Sequence, residues 1–171
     1  MSAKEQGADA TQNRWLTIPR TLCFVMNGDD VLLMKRAPTR RVFPNRYNGV
    51  GGHIEHDETP EEGAKREILE ETGLHIEKVR LCGIHNIDAG EQTGILLFVF
   101  LAYTSERDVI GDEREGTLHW IHKNIVQSLD LVEDLPQILP YILNMPPQSA
   151  PYFAHVSYDT QDQIQIRLSQ P

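Results

Sequence analysis

The sequence predicts an α+β or α/β sandwich, a mixed β-sheet with helices packed on its faces. Three observations carry that expectation. Apolar, β-prone runs alternate with two helical stretches in the order β-β-β-α-β-β-β-α-β. The first helical stretch, residues 59–72, has marked start and stop signals at its two ends. The chain has 171 residues, 40% of them hydrophobic and 24% charged, which suits one globular domain.

Taken in order, residues 1–17 hold no apolar core of the kind a signal peptide needs and read as a disordered lead. The domain itself is expected over residues 18–145. Residues 20–26 (RTLCFVM) and 31–36 (VLLMKR) read as strands, and Asn27-Gly28 between them is a hairpin signal. Residues 37–46 form a loop with two prolines. Residues 47–54 (YNGVGGHI) are extended, and three glycines among eight residues imply a bulge or close backbone approach to a ligand.

Thr59 is a good N-cap for the helix, and Glu62 completes a capping box. Pro60 occupies the first helical position, where a missing N–H costs nothing, and Gly73 follows the last turn as a C-cap. Beyond the helix, residues 76–87 and 94–104 read as long strands. The second is almost wholly apolar, so it is expected to be central and covered on both faces. Residues 117–122 form a short strand with Trp120 in the core. Residues 131–143 have helical apolar spacing, but Pro136 and Pro140 argue against one long regular helix. Residues 152–168 alternate about a polar turn and form a C-terminal β-hairpin extension within residues 146–171. The hairpin has three placements open to it: completing the sheet, covering the active site, or pairing with a second chain in a homodimer.

Bulk properties narrow the partners. The net charge of −9 argues against a nucleic-acid polymer. No run of 18 apolar residues exists to span a membrane. Cys23 and Cys82 lie in apolar runs and read as reduced, buried thiols of a cytoplasmic protein.

The helix contains its own contradiction. Glu67, Glu70 and Glu71 project from one face, because positions three and four apart are neighbours. Like charges repel at that spacing, and the helix C-terminus disfavours anions. No Lys or Arg in the last turn offsets them. A hard divalent cation, Mg²⁺ or Mn²⁺, turns that repulsion into coordination. Gly63 falls on the same face, where a missing side chain is expected to leave room for metal and phosphate. From Val31 to Ile54 there is no acid, while Lys35, Arg36, Arg40, Arg41 and Arg46 all occur. A basic segment ahead of an acidic helix suits phosphates on one side and metal on the other. His53 and His56 flank Glu55, but no further His or Cys lies nearby to make a zinc site.

Residues 52–74 match the Nudix box, G, five residues, E, seven residues, R-E-U-x-E-E-x-G-U, where U is aliphatic. The matching positions are Gly52, Glu58, Arg66, Glu67, Ile68, Glu70, Glu71, Gly73 and Leu74. The chain thus resembles the Nudix hydrolases, which cleave a nucleoside diphosphate linked to another group. The resemblance implies a Nudix fold, with Glu67, Glu70, Glu71 and the Gly51 carbonyl as metal ligands. It implies that Arg66 holds a glutamate by a charge-assisted bond and that Glu58 supports the loop–helix geometry. The general base is Glu67 or an acid of the later loop, Glu113 or Glu115.

Residues 46–52 (RYNGVGG) further resemble the R-W-N-G-F-G-G of diphosphatases acting on oxidised purine nucleoside triphosphates, such as 8-oxo-dGTP. In those enzymes the asparagine reads the purine edge, and Asn48 falls on that position. Glu133 and Asp134 fall near a segment that supplies acidic base contacts there, but the stacking aromatic of that segment has no counterpart within residues 131–135. Substrate binding is thus expected from Asn48, Lys35, Arg36, Glu133 and Asp134. Substrates weighed beside it are ADP-ribose and dinucleoside polyphosphates. The first class usually carries a proline about fifteen residues after the box and the second a tyrosine further on, and this chain has neither. A non-catalytic nucleotide sensor is the other reading, disfavoured by an intact box. An isoprenoid-diphosphate isomerase needs a cysteine near the basic segment, which is absent.

Overall fold

The computed structural model describes residues 3–8 and 11–169. Of the expected lead, residues 1, 2, 9 and 10 fall outside the described ones, and Ala3–Gln6 form a short 3-10 turn. The strands are β1 (Leu16–Asn27), β2 (Asp30–Arg36), β3 (Tyr47–Asn48), β4 (Val79–Ile87), β5 (Thr93–Tyr103), β6 (Gly116–His122), β7 (Tyr152–Tyr158) and β8 (Ile164–Leu168). The helices are α1 (Pro60–Thr72) and α2 (Leu135–Leu143). One mixed sheet runs β3-β2-β1-β5-β4-β7-β8, with β6 on the other side of β2. The parallel contacts are β1 with β5 and β4 with β7.

The strand β1 opens at Leu16, earlier than its composition indicates. Leu16 and Thr17, assigned to the lead by sequence, pair with Thr93 and Gly94 of β5. Both have partners only because a strand distant in sequence arrives beside them. β1 turns into β2 at Gly28, whose φ of 60° suits a tight hairpin loop. The two strands pair only over Val25–Asn27 and Asp30–Leu32, and then diverge. The glycine-rich segment fills that fork. Tyr47 and Asn48 pair with β2, while Val50 and His53 bridge to Cys23 and Arg20 of β1.

β5 is central, as its apolar run indicates, but it is not covered along its whole length. Only Val99, Phe100, Leu101 and Ala102 are fully buried in its second half, while Ile95 to Phe98 stay partly exposed and Thr93 is exposed. The reason is the layer count. α1 and α2 are 13 and 9 residues long and cannot span an eleven-residue strand on both faces. Two hydrophobic clusters result. Leu22, Phe24, Leu33 and Val99 pack with Leu135, Ile138, Leu139 and Ile142 of α2. Cys23, Val25, Leu32, Val50 and Phe100 pack with Ala64 and Ile68 of α1 on the other face. Trp120 packs against this second cluster, as expected of a core residue, and its indole N–H donates to the Arg107 carbonyl at 2.9 Å.

α2 is shorter than the 131–143 stretch. Pro136 sits in its first turn, and Pro140 is accommodated inside it. Residues 131 and 132 are drawn off as an extended piece. Val132 N–H donates to Tyr47 O at 3.0 Å, and Tyr47 N–H to Asp130 O at 2.8 Å. The hairpin β7–β8 takes the first of its three placements: it extends the sheet, with β7 against β4. Both cysteines are free and buried. No helix among the described residues is long and apolar enough to cross a membrane.

Candidate active site

α1 begins as its sequence dictates. Thr59 Oγ1 accepts from Glu62 N–H at 3.2 Å, and Glu62 Oε2 accepts from Thr59 N–H at 2.8 Å, a closed capping box. It ends at Gly73, whose φ of 76° lets its N–H turn back to Leu69 O. The fold lays this helix against β1, next to the fork that carries Gly51 and Gly52.

Arg66 organises the helix face. Its Nε and Nη2 make a two-pronged bond to Glu58, at 3.0 and 2.6 Å. Nη2 also donates to His53 O at 2.9 Å, and Nη1 to Glu67 Oε1 at 2.9 Å and Glu70 Oε2 at 3.1 Å. These carboxylates hold the Arg66 guanidinium firmly charged, and Arg66 in turn keeps Glu58 below the usual carboxylate range. Glu58 also accepts from Glu55 N–H at 2.7 Å, so it ties the loop to the helix. Gly63 serves this arrangement, not the one expected of it. A Cβ there would meet Glu58 Oε1 at 2.8 Å, so the missing side chain makes room for Glu58 and not for metal or phosphate.

The glycine that faces the acids is Gly52. A Cβ on it would lie 2.5 Å from Glu67 Oε1. The neighbouring Gly51, with φ of 141°, lies too close to the Thr21 backbone for any side chain and donates its N–H to Glu71 Oε2 at 2.9 Å. Glu71 is buried enough to be pushed up to about 7, chiefly by desolvation and further by Glu67 and Glu115. Burial likewise raises Glu67, against the pull of Arg66. Glu67 and Glu71 therefore converge on the Gly51–Gly52 turn, whereas Glu70 is more exposed and tied to Arg66. Among the described residues no three acidic, imidazole or thiol groups stand close enough to hold a metal as they are. The donor set nevertheless fits a hard cation: carboxylate oxygens gathered at the Gly51–Gly52 turn, two of them pushed toward protonation by burial.

The basic segment reaches the same place. Arg36 acts on Glu71 and Glu115, and its Nε donates to Val42 O at 2.8 Å. Lys35 and Arg36 line a hollow of about 240 Å³ together with Asn45, Glu113 and Thr117. Glu115 lies near enough to Glu71 to raise it and is paired to Arg40 at 2.8 Å. Asn48 is fixed beside Gly49, whose N–H it accepts through Oδ1 at 2.9 Å. Glu133 and Asp134 lie on the α2 face of the sheet, away from α1. Glu133 pairs with Arg46 at 3.4 Å, and Asp134 stands at the α2 N-cap position, raised by burial and making no cap bond with its side chain.

Three features escaped sequence reasoning. Lys35 Nζ lies 5.8 Å from the Tyr47 ring centre, and that ring meets His119 edge-on at 5.6 Å. Tyr158 of β7 lies beside Glu133 and Asp134. Arg46 bridges toward α2. Each is a cross-strand or loop contact between distant residues, for which a single sequence carries no signal.

Comparison with known proteins points to one family. The model of the NUDIX domain matches residues 16–142. A nucleoside triphosphatase NudI from Enterobacter sp. (strain 638) is 31% identical over 119 residues, covering 64% of this chain and 84% of that protein. An oxidized purine nucleoside triphosphate hydrolase from Mus musculus is 30% identical over 156 residues, covering 84% and 88% of the two chains. Among solved structures, a mutator MutT protein from Bacillus halodurans superposes with a TM-score of 0.74 at 28% identity, covering 90% of this chain and 99% of that one. With the box complete from Gly52 to Leu74 and its helix seated on a curled mixed sheet, the chain belongs to the Nudix family and is a MutT-like Nudix hydrolase acting on nucleoside diphosphate-linked substrates.

Proposed function

We propose that the protein hydrolyses a modified purine nucleoside triphosphate, such as 8-oxo-dGTP, to the nucleoside monophosphate and diphosphate, with Mg²⁺ and secondarily Mn²⁺. The observation that carries the metal requirement is the pair Glu67 and Glu71 on the Gly51–Gly52 turn, two desolvated carboxylates with Glu115 behind them. Glu67, Glu70, Glu71 and the Gly51 carbonyl would hold the ion. When bound it polarises phosphoryl oxygens and acidifies a water. The chain's own residues do the remainder. Arg66 holds Glu67 and Glu70 in register, Gly51 N–H orients Glu71, and Lys35 and Arg36 neutralise phosphate charge. Glu67, with Glu115 as the alternative, takes the proton of the attacking water.

The substrate class draws support from the R-Y-N-G-V-G-G segment, from Glu133 and Asp134, and from the 30% identity to the murine oxidized purine hydrolase over most of both chains. The test is a panel of dGTP, 8-oxo-dGTP, the other dNTPs, ADP-ribose and a dinucleoside tetraphosphate, each with Mg²⁺, Mn²⁺ or EDTA. The expected outcome is preferred turnover of the oxidised purine, abolished by EDTA. Preferred turnover of ADP-ribose, or turnover unaffected by EDTA, would overturn the reading.

A further inference from the structure

Glu115 is gripped at two points by one tight turn of the basic segment. Ala37 N–H donates to Glu115 O at 2.9 Å, and Arg40 N–H donates back to Ala37 O at 3.1 Å. Pro38, second in that turn, presets its bend. The turn delivers Arg40 Nη1 to Glu115 Oε1 at 2.8 Å. Ala37 thus holds the backbone of Glu115 while Arg40 holds its side chain.

The acidic loop is fixed as well. Glu115 N–H and Gly116 N–H both donate to Asp112 O, at 2.9 and 3.1 Å. Asp112 in turn takes a two-pronged bond from Arg114, at 3.0 and 2.6 Å. Gly116 faces Arg36 in the β2–β6 register, and a Cβ on it would collide with the Lys35 carbonyl. Met34 and Leu118 pack with the α1-side cluster, and Arg36 and Gly116 form the next row on that face. The other end of the loop reaches α1, where Ile110 N–H donates to Thr72 O at 2.9 Å, one residue beyond Glu71. Residues 110–115 therefore run from the end of α1 to the Arg36 row. Of the two acids open to the water's proton, Glu67 is the more committed, since its Oε1 already accepts from Arg66 and it is an expected metal ligand. Glu115 gives Oε1 to Arg40, and its Oε2 has no hydrogen-bond partner among the described residues.

We propose that Arg40 is a positioning residue for the hydrolysis: with the Ala37 N–H it holds the Glu115 carboxylate in one place and leaves Oε2 open to the attacking water. This rests on the hydrolase reading above, with Glu115 as the base, and does not depend on which nucleobase is bound. The water oxygen bonds to phosphorus as the P–O bond to the diphosphate breaks. Its proton passes to Glu115 Oε2, and the electron pair of the broken bond leaves on the diphosphate oxygen. On a free side chain the carboxylate would sample several rotamers, and a misplaced base costs rate and not affinity. The bridge itself is open to solvent, with 39% and 35% of the two side chains exposed, so it adds little to stability.

The experiment measures kcat, KM and Tm for full-length Arg40→Ala, Arg40→Lys, Glu115→Gln and the double variant Arg40→Ala/Glu115→Gln. Each is assayed with Mg²⁺ and the panel nucleotide that the wild type turns over fastest. Glu115→Gln should lower kcat about a hundredfold. Arg40→Ala should lower kcat about tenfold, with KM within about twofold and Tm within about 2 °C. Arg40→Lys keeps a charged donor for Oε1 and should recover most of that loss. In the Glu115→Gln background Arg40→Ala should have no further effect, because no base is left to place. A wild-type kcat in Arg40→Ala would overturn the inference, and so would a loss that persists in the double variant or that comes with a lowered Tm. A wild-type kcat in Glu115→Gln would overturn it too, while leaving the proposed function intact with Glu67 as base. A wild type that turns over no nucleotide of the panel would instead overturn the proposed function.

Discussion

Glu71 is the residue at which burial and charge oppose each other most. It is desolvated, flanked by Glu67 and Glu115, and stabilised as an anion mainly by one backbone N–H and by Arg36. Its isostere Gln keeps the Gly51 bond and removes the charge. Glu71→Gln should therefore fold with an unchanged or raised Tm and lose at least about a hundredfold in kcat/KM, as removal of a ligand charge from a phosphoryl-transfer site does. Steady-state kinetics together with thermal melting check it, and near-wild-type turnover would remove Glu71 from the site.

His85 makes a prediction of a different kind at the same scale. Burial pushes its imidazole down to about 4, against 6.5 for the free side chain. Between those values the unfolded chain takes up a proton that the folded one refuses, so stability falls as pH drops below 6.5 and levels off below 4. At pH 5 the loss from this residue is roughly 2 kcal/mol. Glu71, pushed up to about 7, gains stability over the same interval, so the His85 share is read by difference: in urea melts, going from pH 7 to pH 5 should cost the wild type about 2 kcal/mol more than it costs His85→Gln.

At the scale of the element, α1 and the glycine turn act as one unit. Thr59→Ala removes the cap and should cost about 1 kcal/mol in stability while leaving turnover near wild type, since the cap lies at the end away from Glu70 and Glu71. Gly52→Ala should do the reverse. Its Cβ would enter the space of the Glu67 carboxylate, which Arg66 keeps from moving freely. Activity should fall by about tenfold or more while the melting temperature changes by a few degrees. Measuring both variants by kinetics and by melting separates the helix's stability from its placement of acids.

At the scale of the molecule, the hairpin and the sheet are one structure. Tyr152 occupies the space above Gly83, where a Cβ would meet its ring at 2.5 Å, and Ala154 and Val156 are buried in the α2-side cluster. Truncation before Pro151 exposes that cluster and leaves the β4 edge unpaired. The truncated chain should be far more sensitive to limited proteolysis than the full one and prone to aggregate. Equal resistance would show that the hairpin contributes little to the fold.

The sequence by itself determined the features that are local. The caps of α1, the hairpin turn at Gly28 and the spacing of Glu67, Glu70 and Glu71 depend on neighbours within four residues, so they could be read directly. The complete Nudix box likewise identified the family. Only the tertiary structure decided what depends on partners far along the chain. It placed Leu16 and Thr17 in β1 by bringing β5 beside them. It gave Gly63 to Glu58, and it gave the space before Glu67 to Gly52. It drew residues 131 and 132 out of α2 through Tyr47, and it brought Tyr158 beside Glu133. Local spacing fixes which side chains share a helix face. Which backbone that face meets is set by sheet register and burial, which no short stretch of sequence encodes alone.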